Sequence, residues 1–267
     1  MKRFRFYIKI YHRYFLQSLK RHLVYRSDFL VQITFALSTQ IASLIFVLTI
    51  FEHIPDLNGW SFAEVLFIYG FAQTAMALFS FFFENLITLG RDYILDGQLD
   101  RVLLRPLNPL FQIIAEWIDF GSLSALGMGV GALGYAYILL NFSWSITMWC
   151  LLGLLLFCAS FLLAGLVLIL VSFTFWIKDS TGAIAWPIMI LRDFAKYPIT
   201  IYSPALQVLL SWIFPIAFTA FYPASLFLEK RTYYLHAYLT PVITLVVWAV
   251  GYSIWKVGQS KYESAGT

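Results

Sequence analysis

The sequence predicts an all-α integral membrane protein with six transmembrane helices. An interfacial helix precedes them, one structured loop interrupts them, and a re-entrant proline-rich hairpin comes before the last. Three observations lead there. First, 61% of the 267 residues are hydrophobic and 12% are charged, with a mean hydropathy of +0.78. A soluble domain carries about 25% charged residues, so this chain has too little charge to cover a globular surface. That excludes a soluble enzyme and a disordered chain, and two cysteines exclude a disulfide scaffold. Second, long charge-free runs recur at the roughly 20-residue length that crosses a bilayer. Third, the net charge of +4 is uneven: eight of the 18 Lys and Arg residues fall between Lys2 and Arg26. A long apolar run follows at once, so the match is to anionic lipid rather than nucleic acid.

Each element follows in order. Phe4, Ile8, Tyr11, Phe15 and Leu19 recur every three or four positions among basic residues, so residues 1–26 read as an amphipathic helix lying on the membrane. Residues 29–51 are charge-free and form a first span. A short loop without Lys or Arg leads to a second span at 62–87, with Glu64 and Glu84 near its ends. Residues 88–108 form the long polar break, TLGRDYILDGQLDRVLLRPLN. Gly90, Gly97, Pro106 and Pro109 punctuate it, which predicts an ordered loop with short helices. Leu99, Val102 and Leu103 share one face of such a helix.

No charge then appears between Asp119 and Lys178. As one helix these 58 residues would reach about 87 Å at 1.5 Å per residue, far beyond a core of about 30 Å. The run must fold back, and Asn141-Phe142-Ser143 is the natural turn. That predicts span three at 110–140 and span four at 144–177. Asp179, Ser180 and Thr181 start a fifth helix reaching about Lys196. Residues 197–228 are uncharged, carry four prolines and read as a re-entrant hairpin, and 237–255 is the last span. Six spans with the N-terminus inside place fourteen basic residues inside and four outside, in keeping with the positive-inside rule.

The chemistry of the chain is sparse. It contains no Gly-Lys dipeptide and hence no phosphate-cradling loop, and no His-Glu-x-x-His, Cys-x-x-Cys or Gly-x-Ser-x-Gly. The sequence therefore predicts no catalytic residue, no metal ligand and no cofactor site. Glu116 and Asp119 stand at i and i+3, one face of a continuous span three. Ionisable residues in a membrane are functional candidates. An ion-coupled secondary transporter using these two carboxylates is thus one reading, and pairing with loop arginines near the inner surface is the other. A lipid-modifying enzyme would need a His or Cys constellation that is absent.

The stretch GQLDRVLLRPLNPLF at 97–111, and the later YPITIYSPALQVLLSWIFPIAFTAFYPASLFL at 197–228, resemble the permease subunits of bacterial type-2 ABC exporters. So does the overall order of elements. The resemblance implies a multi-pass protein of the bacterial cytoplasmic membrane with both termini inside. A second permease subunit, identical or paralogous, would complete the pathway. Two separate ATP-binding cassette subunits, carrying ATP and Mg, would dock below. The N-terminal helix would be the elbow helix, and the hairpin would cap the pathway outside. The loop at 88–108 would couple to the ATPase through Arg91, Asp92, Asp96, Gly97, Leu99, Asp100, Arg101, Leu103 and Arg105. Glu84, Glu116, Asp119, Tyr197, Pro198, Tyr222 and Pro223 are the pathway or gating candidates.

Overall fold

The computed structural model describes residues 2–177 and 183–263. Every regular element among them is helical. The basic helix α1 (Lys2–Val24) is followed after a single bend residue by α2 (Arg26–His53). A turn with Asn58 and Gly59 at positive φ leads into α3 (Phe62–Phe83). Ser61 caps α3 through a reciprocal capping box with Glu64, whose carboxylate accepts from the Ser61 backbone N–H at 2.9 Å. Glu64 also pairs with Lys230 at 2.7 Å. Its role at this helix start is therefore to cap α3 and tie it to the segment before the last helix.

A 3-10 turn (Glu84–Leu89) and a π-helical turn (Gly90–Leu95) extend α3. Then come α4 (Gln98–Leu103) and α5 (Pro109–Glu116). Asn108 caps α5, its side chain accepting from Phe111 N–H at 3.1 Å, with Pro109 at the first helical position. After a break come α6 (Ser122–Leu139), α7 (Ile146–Ser172) and α8 (Thr174–Ile177). Short pieces follow: a 3-10 turn at Ala183–Ala185, α9 (Trp186–Leu191) and a 3-10 turn at Arg192–Lys196. Two arms come next. The first is α10 (Pro204–Val208), prolonged by a π turn to Ile213. The second is α11 (Phe221–Phe227), and α12 (Tyr234–Ser260) ends the described chain.

Five helices among the described residues are long and apolar enough to cross a membrane: Arg26–His53, Phe62–Leu95, Ser122–Leu139, Ile146–Ile177 and Tyr234–Ser260. The chain is a multi-pass membrane protein. The fifth predicted span, 179–196, has its start at residues 178–182 outside the described residues. Its remainder is three short helical pieces rather than one rod. The arms at 204–213 and 221–227 are short helices, and every residue from 221 to 228 is buried.

Span three departs from expectation. The helix does not run through 110–140 but breaks at 117–121, where Trp117 is extended (φ −132°, ψ 125°). Glu116 ends α5 and Asp119 lies in the break, so the two carboxylates do not share a helix face. Side chains of α1 take up the freed backbone groups. Buried Ser18 donates to Ile118 C=O (2.9 Å) and accepts from Ile118 N–H (3.2 Å), and Arg21 reaches Glu116 C=O at 3.5 Å. Non-helical backbone near a membrane persists only when it is satisfied in this way. Ser18→Ala strands a buried donor and a buried acceptor, at about 1–3 kcal/mol each. The expected result is a lower thermal unfolding midpoint in detergent. An unchanged midpoint would show that α1 does not hold the break.

In lipid the bundle is held by close packing rather than by a hydrophobic driving force between helices. Glycines mark two close crossings. A Cβ on Gly129 of α6 would lie 2.7 Å from the Thr74 backbone nitrogen of α3. One on Gly251 of α12 would lie 3.2 Å from the Gly165 carbonyl of α7.

Candidate functional site: a polar chamber and a helical loop

Against this apolar bundle lies a partly open polar chamber of about 270 Å³. The helix α2 presents Gln32, Ala36, Thr39, Gln40 and Ser43 to it, positions i, i+4, i+7, i+8 and i+11 of one helical face. From α3 come Gln73, Met76, Ala77 and Ser80. Asp119, Gly121 and Ser122 come from the break and the start of α6. Arg192, Asp193 and Lys196 come from the 3-10 turn after α9. Gln73 is the twelfth of the 22 residues of α3, so the chamber reaches the middle of a span.

The charges are arranged around it. Asp119 Oδ1 accepts from Gln32 Nε2 (3.1 Å) and from Gly121 N–H (3.0 Å). Lys196 pairs with Asp193 at 2.8 Å. Glu84 sits beside Ser80, within electrostatic reach of Arg192 and Asp119. Gln40 is only 9% exposed, and its side-chain oxygen has no partner among the described residues. Polar groups inside a membrane are costly and mark ion or substrate paths.

The expected pathway residues therefore divide. Asp119 lines the chamber and Glu84 stands at its edge. Glu116 points elsewhere, held by Arg101 (2.7 Å) and the Tyr93 hydroxyl (2.8 Å). Tyr222 and Pro223 are buried in α11. The Tyr222 hydroxyl shares a hydrogen bond with Ser211 (2.8 Å), and its ring stacks on His236 at 4.6 Å. Tyr197 and Pro198 pack in the wall beside Ile199 and outside the chamber. The sequence reading missed Arg192, Asp193, Lys196 and the α2 stripe. The stripe was legible, since four polar residues recur at helical spacing in a charge-free run. Of the three charges, Lys196 entered the sequence reading only as the end of the fifth helix.

The loop at 88–108 is ordered and tied to its own chain. Gly97 adopts φ +73°, a left-handed conformation that favours glycine. Leu99 and Val102 are fully buried within this chain, so these two are not part of a free apolar face. Leu103, the third residue of the expected face, is 39% exposed, and the neighbouring Leu104 is 87% exposed. Gln112 Nε2 clamps the loop by donating to Val102 C=O (3.1 Å) and Leu107 C=O (3.4 Å). Asn85 bridges the Tyr93 hydroxyl (3.0 Å) and Ile113 C=O (2.6 Å). Arg101 is spent on Glu116, and Arg105 donates to the Tyr14 hydroxyl of α1 (3.0 Å). Both arginines therefore have partners inside this chain. Tyr262, just after α12, neighbours Asp100 of α4, and burial together with that carboxylate pushes its hydroxyl up to about 12. Arg91 and Asp96 are exposed and Asp92 is half-buried.

Compared with known proteins, the chain matches the family described as ABC-2 family transporter protein over residues 37–266. No curated protein and no solved structure matches it. The match takes in all five apolar helices except the start of α2, together with the helical loop and every chamber residue but Gln32 and Ala36. The chain belongs to the ABC-2 transporter family, as a membrane permease subunit of a type-2 ABC system.

Proposed function

We propose that this chain is the membrane half of an ATP-driven exporter, paired with a second permease subunit and powered by two separate ATP-binding cassette subunits. The observation that carries this is a chamber with polar and charged walls against an apolar helical bundle. An export path needs such a chamber, since cargo polarity must be matched where water is excluded. In this reading α1 lies on the inner surface and both termini are cytoplasmic. The arms at 204–213 and 221–227 then form the outer cap. Leu103 and Leu104 form the tip that meets the ATPase, while Arg101 and Arg105 brace that tip from behind. ATP and Mg belong to the partner.

The test is reconstitution. Co-expressed with the ATP-binding cassette subunits of its source organism, the chain is expected to co-purify with one of them as a complex that hydrolyses ATP. The isolated chain is expected to bind no ATP in equilibrium dialysis. Stoichiometric ATP binding by the isolated chain, or failure of the cassette subunit to co-purify, would overturn the reading. Topology has its own check. In whole cells, a cysteine replacing Lys230 is expected to react with a membrane-impermeant maleimide. Reaction only after lysis would place the cap on the inner side.

A further inference from the structure

The helix α1 has two faces. Its inward face fastens the chain at two places. Near the start of α1, Asn108 N–H donates to the Tyr7 hydroxyl at 3.4 Å, and the Tyr7 ring meets Phe111 edge-on at 4.9 Å. Arg105 donates to the Tyr14 hydroxyl at 3.0 Å. Both tyrosines thus grip the segment that leads away from the Leu103–Leu104 tip. Near the end of α1, Ser18 bonds both backbone groups of Ile118, and His22 Nε2 lies 3.3 Å from the Ile118 carbonyl. That break carries Asp119 of the chamber wall. Tyr7 and His22 lie in one continuous helix, about 22 Å apart at 1.5 Å per residue. Loop and chamber wall are therefore tied to the same rod. The outward face has no such ties. Arg5, Lys9, Arg13 and Lys20 are exposed, and none forms an ion pair among the described residues. At about 100° per residue the four fall within about 80° of the helix circumference, opposite Tyr7, Tyr14 and Ser18. Exposed Leu16 and Leu23 stand among them and exposed Phe6 beside them. Cations interleaved with apolar side chains suit a headgroup boundary, where the first meet phosphates and the second enter the acyl region. Only Tyr25 separates α1 from a spanning helix, so α1 ends at that boundary.

We propose that α1 is a strut that reads the charge of the inner leaflet. Anionic headgroups seat its basic face, and the seated helix holds the loop, through Tyr7 and Tyr14, in the posture to which the cassette subunit docks. On a neutral leaflet the basic face loses its counter-charge, the helix lifts, and the two tyrosine contacts slacken. Attraction of this kind grows with each cation near an anionic surface. The inference rests on the permease reading and adds regulation to it: lipid charge sets how fast the assembled complex hydrolyses ATP.

The experiment compares nanodiscs of pure phosphatidylcholine with nanodiscs containing about 30% phosphatidylglycerol, an anionic lipid. The complex with its cassette subunit is expected to hydrolyse ATP about threefold faster in the anionic discs. Arg5→Gln, Lys9→Gln, Arg13→Gln and Lys20→Gln together are expected to hold both discs at the parent's neutral-disc rate. These side chains are exposed, so the fold is expected to survive, with size-exclusion chromatography as the check. Tyr7→Phe with Tyr14→Phe keeps the basic face and cuts the hydroxyl bonds to the loop, and is expected to remove the lipid effect equally. A second readout needs no partner. In the isolated chain, with the free Cys150 and Cys158 replaced by alanine, a spin label is attached through Leu104→Cys. Its mobility is expected to fall in the anionic discs, and to stay unchanged once the two tyrosines are phenylalanine. Equal label mobility in the two discs would overturn the strut, as would a lipid effect that survives the four glutamines. Loss of the cassette subunit from the four-glutamine variant in both discs would also overturn it, since the basic face would then meet that subunit rather than lipid. If no cassette subunit binds the unaltered chain in either disc, the permease reading fails, while the label still decides the strut.

Discussion

Replacing Leu103 and Leu104 together by glutamate is expected to abolish co-purification of the cassette subunit and with it all ATP-driven transport. Leu104 is 87% exposed and Leu103 39% exposed at the tip of a loop that buries Leu89, Tyr93, Ile94, Leu99 and Val102. An isolated leucine this exposed costs little by itself, but in the proposed exporter two adjacent ones on a clamped, ordered tip would serve as a docking knob. Burying each against a partner contributes about 1.5–3 kcal/mol. Losing both therefore weakens the complex by about 100-fold or more at 1.4 kcal/mol per decade, before the cost of desolvating two carboxylates. The fold should not suffer, because neither side chain supports the core.

Arg101→Glu is the informative contrast. Arg101 is half exposed and pairs with Glu116 inside this chain. Such a pair is worth about 0–1 kcal/mol, and reversing its charge sets two carboxylates against each other. The expected outcome is a loosened loop and a partial loss of coupling, smaller than that of the leucine pair. The measurement is pull-down of the cassette subunit followed by ATP hydrolysis of the recovered complex. Full assembly by the double glutamate variant would move the docking surface away from this tip.

Gly129→Leu is expected to leave almost no folded protein. Its Cβ alone would sit 2.6 Å from Thr74 Oγ1 and 2.7 Å from the Thr74 nitrogen. One of those atoms is backbone and cannot rotate away. Overpacking costs about 1–3 kcal/mol and sometimes more. In a bilayer the helices cannot recover it by burying apolar surface, since lipid tails are equally apolar. The damage also reaches function, because α3 and α6 carry Gln73, Ser80 and Ser122 of the chamber wall. Gly127 is the control: a Cβ there meets nothing within 4 Å. Gly127→Ala is expected to fold at least as well as the parent, since alanine is the better helix former by about 1 kcal/mol. Heating followed by size-exclusion chromatography separates the cases. Equal retention of the folded peak by both variants would show that the α3–α6 crossing is not a tight contact.

Much of the molecule follows from residue order alone. Spanning length is a local property, because about 20 apolar residues cross a bilayer whatever surrounds them. Five of the six predicted apolar helices, a basic N-terminal helix and the ordered polar loop were therefore legible in the chain, as was the family. The loop's turn chemistry was legible too: Gly97 sits in the left-handed conformation that only glycine adopts at little cost.

What tertiary structure decided lies elsewhere. Nothing in Trp117-Ile118-Asp119 announces a helix break. The break exists because Ser18 and Arg21, about a hundred positions earlier, supply the hydrogen bonds that the helix gives up. Which leucine of this short segment is buried could not be read either: Leu99 and Leu103 fall on one predicted face, and only packing turned Leu99 inward while leaving Leu103 and Leu104 exposed. Span faces are equally silent. Where lipid and protein interior are alike apolar, polarity does not mark which side of a helix meets its neighbour. The exception is the α2 stripe from Gln32 to Ser43. Its spacing was on the page, but it became a chamber wall only when the fold set Asp119, Arg192 and Lys196 opposite it.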